Sequence, residues 1–288
     1  MSSFQKTIKY CAIAFAIILG VGIISGIANA VFAVVSVVSG GGFITHNNNN
    51  NNNEKTIDFS KTYSDVRSLD LDNATGELKI RIGETFKVEA ENVSESFEAK
   101  VSSDGKLTIT ENNKIEFFWF QFDGFNSPNS KITVYLPADF VAEEAKINTG
   151  AGTVSVEGLK TEYLMISAGA GNISGSNLVA DEVKIEGGVG NVQFSDVNFT
   201  DADFDCGVGN LDIGGVLLGE NKIDCGIGEV DLNLKGDVDD YELNIDSGVG
   251  TVRLNGEKIR DSHNSNNWAQ HSIKVNGGVG NVKINIEE

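Results

Sequence analysis

A short glycine unit recurs seven times in the second half of the chain: Gly, a small apolar residue, Gly, then Asn, Thr or Glu, then Val, Ile or Leu. The first glycines are Gly150, Gly169, Gly188, Gly207, Gly226, Gly248 and Gly278; the second are Gly152, Gly171, Gly190, Gly209, Gly228, Gly250 and Gly280. Successive units lie 19, 19, 19, 19, 22 and 30 residues apart. A fixed period near 20 marks a solenoid, in which each repeat is one coil that buries its apolar face only against its neighbours.

Counting from the first glycine as zero, position −3 is Ile147, Ile166, Ile185, Phe204, Ile223, Ile245 and Val275, and position +4 is Val154, Ile173, Val192, Leu211, Val230, Val252 and Val282. Positions −5 and +6 are mostly apolar as well, with polar residues between. A period of 2 rich in β-branched residues specifies strands, and the glycines specify a tight corner between two of them. Leu159, Leu178, Val197 and Val216, at +9, predict a third inward face. Position −1 is uniformly small and predicts a crowded interior corner.

The expected fold is therefore all-β: a right-handed parallel β-solenoid-like stack of ~19-residue coils over 143–288. Residues 57–142 are strand-like but irregular and read as an opening or cap region. Within them Asn73-Ala-Thr-Gly-Glu-Leu is a worn copy of the repeat. The run Ile115-Glu-Phe-Phe-Trp-Phe-Gln-Phe is inserted there. It places Phe117, Phe118, Trp119, Phe120, Phe122 and then Phe125 either in a cap core or on a patch for a partner.

The N-terminal segment has a different character. Between Lys9 and Glu54 there is no charged residue, and Tyr10 to Val38 is almost wholly apolar or small. This exceeds the ~20 residues that span a bilayer. The only positive charges before Glu54, Lys6 and Lys9, precede it, so the positive-inside rule places residues 1–9 in the cytoplasm and the rest outside. Ala28-Asn29-Ala30 has the form of a signal-peptide cleavage site, but the apolar run continues past it to Val38, which favours an uncleaved anchor over 10–38. Residues 39–56, with Gly40-Gly41-Gly42 and seven consecutive Asn, read as a flexible linker. The expected location is the cell membrane, single-pass, with the C-terminal domain outside.

The chain carries 22 Lys+Arg and 41 Asp+Glu among 288 residues. Two of the basic residues and none of the acids lie before Glu54, so the remainder has 20 basic and 41 acidic residues, a net −21. That balance excludes nucleic acid as a partner. Three cysteines without C-x-x-C spacing exclude a disulfide scaffold and a thiolate zinc site.

The seven glycine units following Val134-Tyr-Leu-Pro resemble the bacterial putative-adhesin family of Gly-rich β-strand repeat proteins, a domain of unknown function, over about residues 68–288. The resemblance implies a β-solenoid-like fold at the cell surface, often tied to an envelope anchor. It implies no site residues.

Catalytic chemistry finds little support. The G-x-G units open strands rather than a helix, against dinucleotide binding. The Ca²⁺-binding nonapeptide repeat has the wrong period. His46, His263 and His271 are read as loop residues without a nucleophile set. On the outward face, position −2 stacks Glu186, Asp205, Asp224 and Asp246 if the coils follow chain order. This column is either a solvated face compensated by Lys184 and Lys222, or a weak oxygen-only cation site suited to Ca²⁺. A glycosidase pair needs only carboxylates ~5–9 Å apart, which any acidic column satisfies.

Two further expectations concern columns. Asn172, Asn191 and Asn210 at +3 should form a side-chain amide ladder. Cys206 and Cys225 should be neighbours about 4.8 Å apart, buried and reduced, because in-register side chains fit a disulfide dihedral poorly. The functional expectation is a non-enzymatic binding, adhesion or scaffolding protein of the cell envelope without a cofactor, its partner an unknown protein or glycan. The alternatives are an accessory partner of an envelope-sensing membrane complex and a polysaccharide-acting β-helix enzyme.

Overall fold

The computed structural model describes residues 56–110, 130–259 and 269–287, all within one compact unit, Asn52–Glu288. The anchor segment 10–38 and the aromatic run 115–125 lie outside the described residues. Among the described residues no helix is long and apolar enough to cross a membrane.

The described chain is all-β, and its strands form one hydrogen-bonded sheet. Parallel ladders join residue i to residue i+19 over the regular repeats: Ile147 to Ile166, Ile166 to Ile185, Ile185 to Phe204 and Phe204 to Ile223. Alternate side chains point inward, so positions −3 and +4 become two continuous buried columns, with Ile147, Ile166, Ile185, Val154 and Leu211 at 0–1% exposure. Phe194, Phe199 and Phe204 meet edge-on or tilted in the core of the middle coils.

Nine layers follow one another in space. The first is Lys106–Thr110 with Lys131–Pro137, and the second is Ser68–Gly83. The third and fourth are Ala142–Glu157 and Lys160–Ser176. Next come Val179–Val189 with Val192–Thr200, Ala202–Val208 with Leu211–Leu218, and Glu220–Ile227 with Val230–Lys235. The eighth is His271–Val279 with Val282–Glu287, and the ninth is Tyr241–Asp246 with Val252–Leu254.

Two features depart from the sequence expectation. The worn repeat is a regular layer: Ser68–Gly83 pairs in full register with Ala142–Glu157, Gly76 opposite Gly152. The last two repeats, moreover, do not stack in chain order. The final coil is inserted between the seventh layer and the coil that precedes it in sequence. The spacings of 22 and 30 provide this exchange. The segment between Lys235 and Tyr241, with its single 3-10 turn Val238–Asp240, lets the chain skip a layer. The 30-residue spacing leaves the length for the chain to return to the skipped layer at His271–Val279. At both ends of the stack the outermost layer also carries antiparallel strands. Lys87–Ser94 and Glu98–Val101 pair on the first layer, Thr56–Thr62 pairs on Lys87–Ser94, and Glu257–Ile259 pairs on the last layer. Both terminal coils of the chain thus have a partner on each side, which limits exposed edges.

The third inward column also differs at one position. Asp196, with φ +50°, bulges the fifth layer, so Val197 pairs with Gly215 and Phe199 with Leu217. Leu217 is buried in consequence, and Val216 is only partly buried. Asn221 stands in the otherwise apolar −5 column and is 2% exposed. Its Oδ1 accepts from Ala202 N–H at 3.2 Å, and its Nδ2 donates to Leu218 O at 3.0 Å and Ser272 O at 3.2 Å. A buried amide is tolerated here because both of its ends are bonded.

Candidate binding surface

The corner explains the glycine unit. At Gly150 and Gly169 an added Cβ would lie 2.6 and 2.7 Å from the carbonyl oxygen of the residue one layer earlier. At the second glycine the conflict is tighter, and the backbone is also left-handed, with φ +138° at Gly171 and +143° at Gly190. The same contacts report the layer order: Gly280 rests on Gly228, and Gly250 rests on Gly280.

The residue between the two glycines has nowhere to go but outward. In spatial order the register joins Thr75, Ala151, Ala170, Val189, Val208, Ile227 and Val279, and a single bridge adds Val249. From Ala151 onward this is a continuous aliphatic ridge along the edge of the stack, whereas the Oγ1 of Thr75 is buried. Its far end is open to solvent: Ile227 is 54% exposed, Val279 51% and Val249 69%. The sequence contains the column, but its exposure follows from the corner geometry, which strand alternation does not predict.

On one flank of the ridge lies the −2 column. Glu186, Asp205 and Asp224 are consecutive, as expected. Asp246 is not next to Asp224, because the inserted final coil places Asn276 between them. Asn276 Nδ2 donates to Asp224 Oδ1 at 2.6 Å. Lys222 pairs with Asp224, and Lys184 Nζ lies 2.7 Å from Glu186 Oε1. The hydrogen bond from Lys222 and then that from Asn276 hold the Asp224 carboxyl below the usual carboxylate range, and Lys184 does the same for Glu186. Among the described residues no three His, Cys, Asp or Glu side chains converge as a metal-holding group. The stacking order therefore corrects the expected uninterrupted column of four carboxylates.

The other flank, the +3 column, is a run of amides at Asn172, Asn191 and Asn210 that gives way to Glu229 in the seventh layer. Asn172 Oδ1 accepts from Asn191 N–H at 3.0 Å, Asn191 Oδ1 from Asn210 N–H at 3.1 Å, and Asn210 Oδ1 from Glu229 N–H at 3.0 Å. Asn281 repeats this with Thr251 N–H at 3.2 Å. The expected ladder is present in altered form: each side chain caps the next layer's backbone rather than the next side chain, because the corner leaves that N–H without a strand partner. Asn191 and Asn210 are exposed.

Elsewhere, Cys206 and Cys225 are register partners, free and each 5% exposed. Their mutual hydrogen bond, followed by burial, raises the Cys206 thiol well above its usual range. His271 opens a strand rather than lying in a loop, and its Nδ1 accepts from Gly219 N–H at 3.0 Å. A shallow depression of about 230 Å³ on a neighbouring face is lined by Ser155, Ser174, Ser176, Gln193 and Ser195, without a carboxylate. Glu220 and Glu242, adjacent in repeat order, are separated by Ser272 in the stack.

A stack of parallel β coils with glycine corners and an outward aliphatic seam defines a repeat protein of the extended-surface class. The chain belongs to the Toastrack DUF4097 family, whose model matches residues 66–267. No curated protein matches it. Among solved structures, a "putative cell adhesion protein" from Clostridium sporogenes is 20% identical, with 81% of this chain and 100% of that chain covered and a TM-score of 0.39. A "putative adhesin" from Bacteroides fragilis is 13% identical, covering 81% and 97%, with a TM-score of 0.39. A "putative lipid binding protein" from Parabacteroides distasonis is 12% identical, covering 80% and 97%, with a TM-score of 0.40.

Proposed function

We propose that this protein is a non-enzymatic binding, adhesion or scaffolding protein of the cell envelope, built as a right-handed β-solenoid and held by a single membrane pass at 10–38 with its β domain outside. The observation that carries the binding role is the exposed aliphatic ridge ending in Ile227, Val279 and Val249. Solvent-exposed apolar side chains in an unbroken row mark a contact surface, whereas scattered single ones do not. The anchor rests on the uncharged apolar run and on the position of Lys6 and Lys9.

Two measurements test the proposal. The full chain should remain in the membrane fraction through a carbonate wash; a soluble form beginning at Val31 overturns the anchor. On envelope glycans and envelope proteins, the full chain should bind without releasing products, and Ile227→Asp with Val279→Asp should remove that binding while leaving the thermal midpoint unchanged. Product release, or binding indifferent to the ridge substitutions, overturns the binding role of this surface.

A further inference from the structure

We infer that the ridge's partner is a second copy of this chain, docked side by side in parallel about a two-fold axis that runs along the stack. This deepens the proposed function and rests on its assignment of the ridge as a contact surface. The argument begins with the cross-section of the corner. Next to the ridge runs a strip of bare backbone, the column of first glycines, exposed at Gly188 and Gly226. Having no side chains, it forms a trough between the ridge and the −2 column. Ridge and trough are parallel, adjacent and repeat with the same layer spacing.

Symmetry then selects one arrangement. A two-fold axis along the stack keeps every layer at its own height and exchanges left for right. One copy's ridge therefore lies over its partner's trough, and the partner's ridge over the first copy's trough. A two-fold axis across the stack reverses the layers and sets ridge on ridge, leaving both troughs empty. Only the parallel arrangement is self-complementary in shape.

The flanks agree in charge over the middle layers. In the parallel arrangement Glu186 and Asp205 of one copy face Asn191 and Asn210 of the other, and in the next layer Asp224 faces Glu229, each already paired with its own lysine, Lys222 and Lys283. Asn191 and Asn210 spend Oδ1 on the neighbouring backbone, and among the described residues neither Nδ2 has a partner. They present outward donors at the layer spacing, opposite Glu186 and Asp205. Reversing the layers would instead place carboxylate on carboxylate, in a chain of net charge −19.

Size sets the strength. Seven layers at ~4.8 Å and a corner about five residues wide give roughly 550 Å² per copy, about 1,100 Å² for the pair. A stable complex buries ~1,200 Å² or more, so the pair is weak in dilute solution. Tethering to one membrane surface raises the effective concentration and favours parallel stacks.

The test uses the full chain in intact cells, in a Cys11→Ser background, with oxidative cross-linking. Val189→Cys should form a covalent dimer well above a Lys100→Cys control placed on an exposed strand away from the ridge. When differently tagged Val189→Cys and Val279→Cys chains are co-expressed, like should cross-link with like. Ile227→Asp added to Val189→Cys should abolish the dimer without lowering the thermal midpoint. Cross-linking no greater than the control, or mixed 189–279 products as abundant as 189–189 products, overturns the inference. If the ridge variants lose an external ligand while no dimer is trapped, the binding role stands and self-association alone is overturned.

Discussion

Asn276 donates its side-chain amide to the carboxylate of Asp224 at 2.6 Å, although the two residues are 52 positions apart. That bond is a local record of the exchange of the last two coils. It places a neutral donor between Asp224 and Asp246, where chain-order stacking would bring two carboxylates together. The Lys222 partner of Asp224 completes the neutralisation. Insertion of the final coil thus both shields the chain end and breaks an unfavourable run of charge.

Asn276→Asp removes that break. Carboxylates in adjacent layers repel by about 3 kcal/mol at a surface-like dielectric before screening, and solvent reduces this to ~1–2 kcal/mol here. The variant should melt several degrees lower at low ionic strength, and salt should restore most of the loss. Thermal melts across a NaCl series check this; a deficit independent of salt would mean that lost packing, not charge, is responsible.

The same neutralisation makes Ca²⁺ redundant for the native column. CaCl₂ and NaCl at matched ionic strength should raise the thermal midpoint of the unmodified chain equally. An excess for CaCl₂ that vanishes in Asp205→Asn with Asp224→Asn would restore a cation site to this face.

Two glycine-to-alanine changes separate steric demand from backbone preference. Both positions have positive φ, +145° at Gly209 and +82° at Gly256. A Cβ at Gly209 would run into the Gly190 carbonyl, whereas at Gly256 nothing lies within 4 Å. Gly256→Ala should cost about 1 kcal/mol, and Gly209→Ala at least ~3 kcal/mol because two layers must separate. Chemical denaturation of the two variants gives the comparison. Similar losses would mean that the stacking contact is easily relieved.

Asn191 tests the capping column. Its Oδ1 is the acceptor for Asn210 N–H, and the side chain is exposed. Asn191→Leu should cost ~0.5–1.5 kcal/mol, the usual net value of a hydrogen bond, while Asn191→Asp retains the acceptor and most of the stability. Hydrogen exchange at the Asn210 amide reads the bond directly: it should accelerate in Asn191→Leu and remain slow in Asn191→Asp.

The regular part of the stack is legible in the sequence because each residue's environment repeats every 19 positions. Ile147, Ile166 and Ile185 face the core for the same reason, and the glycine corner recurs with them. The order of the final two layers is not legible. Both candidate neighbours of Glu220–Ile227 carry the same apolar register, so Val275 and Ile245 satisfy Ile223 equally well. Only the lengths 22 and 30 hint that the chain leaves and returns. The Val216-to-Leu217 shift escaped the pattern because a left-handed Asp196 changes the count by one residue. Exposure of the ridge was hidden for a related reason: across a glycine corner the inward–outward alternation resets, and an apolar residue there carries no sign of which way it faces.

Asp212 and Asp224 provide opposite pH signatures within one fold. Burial, and then the charge of Asp231 in the next layer, raises the Asp212 carboxyl above the ordinary carboxylate value. A raised acid leaves stability intact below its unfolded pKa and removes it as pH climbs through the folded value, so at neutrality the ionised Asp212 is a cost. Asp212→Asn should therefore stabilise the protein at pH ~7 by a few tenths to about 1 kcal/mol after solvent screening, and should match the parent near pH ~3, where both are neutral. Asp224 runs the other way. Its hydrogen bonds from Lys222 and Asn276 lower its folded value, so its contribution is complete above the ordinary carboxylate range and is lost as pH falls through the folded value. Asp224→Asn should be destabilising at neutral pH, and the difference from the parent should shrink as acid protonates the native carboxylate. Denaturation midpoints of both variants and the parent between pH ~3 and ~7 decide the matter. If the two substitutions shift stability in the same direction at neutrality, the environments assigned to these carboxylates are wrong.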